Sequence, residues 1–198
     1  MNTHCIRAVY TNETIRVYQA FNSHIVNHAL KTGTLEGPAF SMTRMTWIKP
    51  SFLWMMYRAG WGMKDGNQNR ILAIDIDRSG FEWALRHSCL AAMPSGMAKE
   101  EWRAFLGSYP VRVQWDPERD IHLAPLDFRS IQIGLGGEAV RLYVREWIRN
   151  IEDITERCRK IHALVAAERD GEAIAQLPVE RVYPFDFGAL PGHRLADA

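Results

Sequence analysis

The sequence predicts an α+β fold, a single domain in which a mixed or mainly antiparallel sheet carries flanking helices. The chain has 198 residues, 47% of them hydrophobic and 24% charged, which is enough to bury one sizeable core. Segments with the two-residue period of strands alternate irregularly with segments that have the period of a helix. The loops are uneven in length, and no regular succession of βαβ units occurs. We therefore expect one domain over residues 1–185 and a loosely ordered tail over residues 186–198.

The chain opens with a strand, a turn and a helix. Residues 15–21 alternate apolar and polar side chains and include β-branched and aromatic types, which indicates a half-buried strand. Asn22 or Ser23 can cap the helix that follows. Gly33 fits the left-handed position at which such a helix ends.

Aromatic and basic residues are concentrated between residues 41 and 62. Pro50 divides this stretch, because proline suits the first turn of a helix. Residues 40–49 are predicted to be extended, and residues 51–59 to form an almost wholly apolar helix, which favours burial. Cations and aromatic faces can both bind a ligand. The candidate contacts in this stretch are Arg44, Trp47, Lys49 and Trp61.

The remaining elements follow in the same irregular order. Apolar residues at three-and-four spacing from Ala139 to Ile151 predict one helix. Asp116 and Pro117 are expected to turn the chain away from the strand before them. The other predicted elements are strands over residues 71–77, 111–115 and 129–134, helices over residues 80–87, 98–106 and from Asp153 or Thr155 to Glu168, and an extended segment over residues 178–185.

Charge and cysteine content exclude several classes of protein. Lysine and arginine number 24 against 23 acidic residues, so the net charge of +1 gives no overall field for nucleic acid or an anionic membrane. Nucleic-acid binding would depend on a local basic patch. The three cysteines lie far apart without a CxxC motif, which argues against a disulfide framework or a zinc knuckle. The N-terminus is polar and no window reaches the roughly 18 apolar residues of a membrane span, so we expect a cytoplasmic protein.

The sequence lacks the common metal and hydrolase motifs. His24 and His28 are the one histidine pair at i,i+4 helical spacing, and no HExxH glutamate lies between them. There is no GxSxG motif. Residues 134–137 are glycine-rich and precede a helix, but they lack a P-loop lysine, and a plain turn explains them better. We expect no metal.

Polar side chains set into apolar strands are more informative, because burying them is costly unless a partner or a ligand binds them. The sequence leaves open whether they face solvent or a binding site. These positions are Arg16 and Gln19 beside Tyr18, Ser41 and Thr43 at the start of the aromatic stretch, Gln114, Asp116 and Glu118, and Arg129 and Gln132.

Several runs of the sequence are distinctive because they are long and rich in tryptophan. They are VYQAF, MTRMTWIKPSFLWMMYRAGWG, FEWALRHSC, VQWDPERD, RSIQIGLGGEAV and LPVERVYPF. Together they resemble the bacterial and fungal family catalogued as domain of unknown function 4291, over nearly the whole chain. The family name implies no activity.

A second resemblance, to ADP-ribosyltransferase domains, does imply one. The strand that ends after Tyr18 and Gln19, the helix that follows and Gly33 resemble the opening of those domains. The run Phe40-Ser41-Met42-Thr43 is similar to their aromatic-Ser-Thr-Ser strand. The chain departs from the pattern in three places: Thr43 replaces the second serine, Gln19 replaces the common histidine, and the acid at the standard spacing is Asp116 instead of a glutamate.

This second resemblance implies a split-sheet α+β fold and the use of NAD as a substrate. The residues that it assigns to NAD binding are Arg16, Tyr18, Gln19, Ser41 and Thr43. Asp116 or Glu118 would stabilise the positive charge that develops on the ribosyl centre, since either carboxylate falls near the place of the catalytic glutamate. The assignment requires Arg16, Ser41 and Glu118 to converge on one cleft.

Three hypotheses follow. The first is an enzyme that uses NAD to modify a nucleotide, a nucleic acid or a protein. The second is a non-catalytic module that binds a nucleotide or single-stranded RNA through Arg44, Trp47, Lys49 and Trp61. The third is a structural scaffold with an unusually aromatic core. The sequence predicts neither the acceptor nor the oligomeric state.

Overall fold

The chain forms strands and helices in the irregular alternation that its sequence predicts. The structure is a computed structural model that describes residues 4–93 and 95–187. The strands in these ranges are β1 (Arg7–Ala8), β2 (Thr14–Phe21), β3 (Thr46–Ile48), β4 (Arg70–Asp77), β5 (Ser88–Leu90), β6 (Val111–Arg119), β7 (Pro125–Leu135), β8 (Ile148–Asp153) and β9 (Arg181–Val182). The α-helices are α1 (Ser23–Thr32), α2 (Phe52–Ala59), α3 (Arg78–Arg86), α4 (Lys99–Gly107), α5 (Glu138–Leu142), α6 (Thr155–Ala166) and α7 (Asp170–Ile174).

Two main sheets are joined at the backbone of Tyr18 and Lys49. The first sheet has the order β2–β4–β8 and is antiparallel, while the second has the order β3–β7–β6–β5 with only β5 and β6 parallel. The N–H of Tyr18 donates to the carbonyl of Lys49 (2.7 Å), and the N–H of Lys49 donates to the carbonyl of Tyr18 (3.3 Å). Strands β1 and β9 form a small third sheet. The predicted α+β class with a mixed, mainly antiparallel sheet is confirmed.

The first sheet is buried on both faces. Successive side chains of a strand point to opposite sides of its sheet, and an apolar cluster covers each side. On β4, Leu72, Ile74 and Ile76 pack in an apolar cluster with α1, α3 and the second sheet. Ile71 and Ala73 pack in another cluster with α2 and α6. The sheet that contributes Tyr18 to the junction is therefore held from both sides.

The predicted caps of α1 are confirmed, and the structure adds a cap at the start of α2. Asn22 Oδ1 accepts a hydrogen bond from the N–H three residues on (3.1 Å), and Gly33 closes α1 with a φ of +74°. Ser51 Oγ accepts one from the N–H of Trp54 (3.2 Å) at the start of α2. The predicted core residues of this helix, Phe52, Trp54, Met55 and Met56, are all buried.

The long helix predicted from Ala139 to Ile151 is wrong in its last four residues. Helix α5 ends at Leu142, a π-helical turn follows over Tyr143–Trp147, and the chain then enters β8. Strand β8 pairs with β4, with Ile151 opposite Ile74. Apolar residues three and four apart fit a helix face, but pairing with the buried edge of β4 satisfies the backbone there and overrides that pattern.

Two further predictions need correction. Asp116 and Pro117 do not turn the chain away, because β6 continues to Arg119 along β7 with a register shift between Pro117 and Arg119. Within residues 40–49 only Thr46–Ile48 form a strand. Before it the chain bends, since Ser41 Oγ accepts a hydrogen bond from the N–H of Arg44 (3.2 Å).

The predicted tail over residues 186–198 falls mostly outside the described residues. Phe187 is described, and its ring packs edge-on against Trp115 at 5.4 Å between centroids. The division into one domain and a tail therefore stays a prediction. In the described part of the chain, no helix is both long and apolar enough to cross a membrane.

Gly80 is a site at which the packing of α3 can be tested. A Cβ placed there would lie 2.4 Å from Cγ of Trp147, which is buried. We expect Gly80→Ala to lower the free energy of unfolding by about 1–3 kcal/mol, because the indole must shift. Gly107→Ala is the matched control, since its Cβ would meet nothing within 4 Å. Urea denaturation measures both, and equal stability of the two variants would contradict the packing described.

Candidate functional site

An open cleft of about 700 Å³ lies where the two main sheets meet. Its walls come from α2, the end of β2, residues 44–49, and the neighbouring strands β6 and β7. The volume is within the usual range for small-molecule sites, roughly 300–1,000 Å³. Five of the predicted site residues line it: Gln19, Arg44, Trp47, Lys49 and Asp116.

Lys49 is the most unusual side chain of the cleft. It is 6% exposed, and the hydrogen bond recorded for its ammonium group is a long one, 3.5 Å from Nζ to the carbonyl of Trp47. The pKa of Lys49 is lowered from 10.5 to about 7: burial is the largest cause, the nearby Arg58 acts in the same direction, and Asp116 opposes them. The cleft thus contains a cation with few partners of its own.

Other donors in the cleft also lack partners. Arg44, Arg58 and Arg119 line it, against one carboxylate among the described lining residues, that of Asp116. The guanidinium of Arg119 lies 3.6 Å from the ring centroid of Tyr57, a cation–π arrangement. Arg119 Nε is buried without a hydrogen-bond partner in the described structure, and so is the indole Nε1 of Trp54, another lining residue. The cleft is rich in donors and positive charge.

Asp116 is held between two glutamine side chains. Gln114 Nε2 donates to one carboxylate oxygen and Gln132 Nε2 to the other, each at 2.8 Å. A donor on each oxygen fixes the orientation of the carboxylate. The arrangement supplies one oriented negative charge in a positive cleft.

The side-chain amide of Gln19 forms three hydrogen bonds within the protein at the edge of the cleft. Its Nε2 donates to Thr46 Oγ1 (2.8 Å) and to the carbonyl of Trp47 (3.2 Å), and its Oε1 accepts from the hydroxyl of Tyr143 (2.7 Å). The amide thereby fixes β3 beside β2. This network positions the backbone that leads to Lys49.

Two of the predicted contacts lie in the apolar core instead. Tyr18 packs edge-on against Phe52, and burial raises the pKa of its hydroxyl. Trp61 is 4% exposed and packs against Phe52 and His162, with a φ of +56° that a bulky residue rarely adopts. Neither residue lines the cleft.

Arg16, Ser41 and Thr43 also lie away from the cleft. Arg16 pairs with both carboxylate oxygens of Asp75 on β4, each at 2.8 Å, so its charge is already partnered. Ser41 and Thr43 lie on an exposed bend with their hydroxyl oxygens 3.3 Å apart. Their roles in NAD binding stay predictions, and the cleft gives them no support.

Glu118 faces a second cavity, of about 460 Å³, on the other side of Arg119. Its Oε1 accepts hydrogen bonds from Ser51 Oγ and from the N–H of Arg119, each at 2.9 Å. Glu180 lines the same cavity, and its pKa is raised to about 8, chiefly by burial. Nearby Glu118 also raises this pKa, whereas a hydrogen bond from the N–H of Phe52 opposes the rise. A register shift between Pro117 and Arg119 lies between the two acids, and they line different cavities. Glu118 lines the second cavity and neither Arg16 nor Ser41 lines either one, so these three residues do not meet in one cleft.

Sequence reasoning missed Arg58 and Arg119 as members of the site. Arg58 had a usable signal, because it is the charged residue of an otherwise apolar and aromatic helix. Arg119 had none, since the register shift in β6 decides which way it faces. Among the described residues, no group of three or more His, Cys, Asp or Glu side chains could hold a metal ion.

Comparison with known families gives one match. The family model described as "Domain of unknown function (DUF4291)" matches residues 5–183. No curated protein matches the chain.

The buried amine of Lys49 makes stability depend on pH. Between about pH 7 and 10.5 the folded state binds fewer protons at Lys49 than the unfolded state, so the free energy of unfolding rises with pH there. We expect a slope of about 1 kcal/mol per pH unit for the natural chain relative to Lys49→Met, in which the group is absent. Urea denaturation of both proteins at pH 7.5, 8.5 and 9.5 measures it. Parallel profiles would show that Lys49 titrates like an exposed lysine.

Proposed function

The chain belongs to the family described as Domain of unknown function (DUF4291), which names no activity, and we propose from its cleft that it binds a phosphate-bearing nucleotide. The observation that carries the proposal is Lys49. Its ammonium is almost wholly buried, lies among arginines and has one long hydrogen bond. A buried charge of this kind is costly without a partner, and a bound anion would stabilise it.

The donors of the cleft suit phosphate oxygens. Arg44, Arg58 and Arg119 bring guanidinium groups, which recognise phosphate through several N–H groups at once. The unpartnered Nε of Arg119 and Nε1 of Trp54 are further donors. An acceptor-rich, multiply charged ligand would satisfy them together, which favours a diphosphate over a single phosphate.

Aromatic side chains along the same cleft suit the nucleoside part of the ligand. Trp47 and Tyr57 both line it; Trp47 is half-buried, and the ring of Tyr57, 38% exposed, already carries the guanidinium of Arg119 over one face. Bases stack on such rings with little sequence preference. A bounded cleft of about 700 Å³ favours a mononucleotide or dinucleotide over a long RNA strand.

A second candidate function is ADP-ribosyl transfer from NAD, and the specific observation that favours it is Asp116. NAD carries both a diphosphate and a ribosyl bond to a cationic nicotinamide. As that bond breaks, nicotinamide leaves and positive charge develops on the ribosyl carbon, which an oriented carboxylate stabilises. Asp116, held by Gln114 and Gln132, is the carboxylate of the cleft.

Calorimetric titration with adenosine, AMP, ADP and NAD tests nucleotide binding. We expect ADP and NAD to bind and adenosine to bind at least tenfold more weakly, with affinities that fall as salt increases. Lys49→Met should weaken ADP binding at least tenfold, because a charge-assisted hydrogen bond contributes about 1.5–3 kcal/mol. Lys160→Met, at an exposed position of α6, should leave affinity unchanged. Equal affinity for adenosine and ADP would rule out a phosphate site.

Nicotinamide release from NAD tests the second candidate. We expect Asp116→Asn to slow release at least a hundredfold while NAD still raises the melting temperature. Glu118→Gln keeps an oxygen that can accept from Ser51 and Arg119, and should retain release. If Glu118→Gln slows release and Asp116→Asn does not, Glu118 is the acid that stabilises the ribosyl charge. If the natural chain releases no nicotinamide under any condition, the protein binds nucleotide without transferring ADP-ribose.

A further inference from the structure

We propose that Lys49 is a nucleophilic amine of the cleft, able to form an imine with a carbonyl compound that carries a phosphate group. The phosphate half of this proposal rests on the proposed function, because the same arginines would hold the phosphate. The amine half does not depend on nucleotide binding. It follows from how Lys49 differs from the other lysines of the chain.

The chain has five lysines, and four of them are exposed: Lys31, Lys64, Lys99 and Lys160. Water solvates an exposed ammonium group, and this hydration stabilises the charged form, in which the nitrogen has no lone pair to donate. Lys49 is 6% exposed, and a carbonyl at 3.5 Å replaces little of the lost water. Burial on this scale favours the neutral amine, as it does for known reactive lysines.

The charged groups around Lys49 also favour its neutral form, with the exception of Asp116. Arg58 on α2 is close enough to disfavour a second positive charge, and Arg44 and Arg119 line the same cleft. Tyr18 on β2, which pairs with the backbone of Lys49, has a pKa raised by burial and stays neutral. Asp116 on β6 is the opposing group, but its two oxygens already accept from Gln114 and Gln132. The pKa of Lys49, lowered to about 7, reflects this balance.

The arginines of the cleft favour one kind of reaction partner for this amine, a compound that carries both a phosphate group and an aldehyde. A phosphate held by the arginines would bring an attached aldehyde to the neutral nitrogen of Lys49. The lone pair forms a C–N bond to the carbonyl carbon, both N–H protons leave with the carbonyl oxygen as water, and an imine remains. No oxidant or reductant is required.

Pyridoxal 5′-phosphate is the probe, because it carries both an aldehyde and a phosphate. The full-length chain is incubated with an equimolar amount at pH 7.5, the imine is reduced with borohydride, and labelled peptides are quantified by mass spectrometry. We expect Lys49 to be labelled at least tenfold faster than any of the four exposed lysines. Its labelling rate should level off above about pH 7.5, while theirs continues to rise.

Two controls separate the amine from the phosphate site. Pyridoxal without the phosphate should label Lys49 at least tenfold more slowly, and inorganic pyrophosphate should protect Lys49 from pyridoxal 5′-phosphate. Lys49→Met should lose the preferred label without gaining it elsewhere, and the exposed lysines serve as internal references in every sample.

The outcomes separate this proposal from the proposed function. Labelling spread evenly over the lysines, or absent from Lys49, overturns the reactive amine even where ADP and NAD bind. Equal labelling by pyridoxal overturns the phosphate half. Selective, phosphate-dependent labelling of Lys49 in a chain that binds no nucleotide supports the amine and its anion site, and counts against the nucleotide.

Discussion

The backbone pair between Tyr18 and Lys49 is the constraint on which the cleft depends. Two hydrogen bonds tie β2 to the residue after β3 and so join the two main sheets. The Gln19 amide network beside it holds Thr46 and Trp47 in place. Because Pro50 follows at once and α2 begins at Phe52, Lys49 lies between a sheet junction and a buried helix. Its side chain is therefore held in the cleft, whereas the other lysines of the chain reach solvent.

A cation held at that junction destabilises the free protein, and this links the fold to function. Nearly all of the Lys49 side chain is removed from water while Arg58 lies close by. Asp116 offsets part of the cost, and the glutamines on either side keep its carboxylate oriented. The rest of the cost can be offset in two ways: a bound anion stabilises the ammonium, or the amine loses its proton. Anion binding and amine reactivity are thus two consequences of one buried nitrogen.

The register shift in β6 decides which cavity Asp116 and Glu118 each line. Without it, Asp116 and Glu118 would share a face of the strand, as alternate residues do. With it, Asp116 lines the positive cleft, while Glu118 lies beside Glu180 near the start of α2 in a second cavity. Arg119 lines both cavities and is the side chain they share. Asp116 is accordingly the acid better placed to act on a ligand among the arginines.

The sequence by itself determined the α+β class, strands β2 and β4, the caps at Asn22 and Gly33, and the burial of α2. Each of these depends on side-chain period or on a backbone preference that acts over a few residues. Tertiary structure alone decided that residues 148–153 form a strand, that Trp61 is core, and that Arg16 pairs with Asp75. It also brought Arg58 and Arg119 to Lys49. Those outcomes depend on which distant segment lies alongside, and one residue of register reverses the direction of a strand side chain.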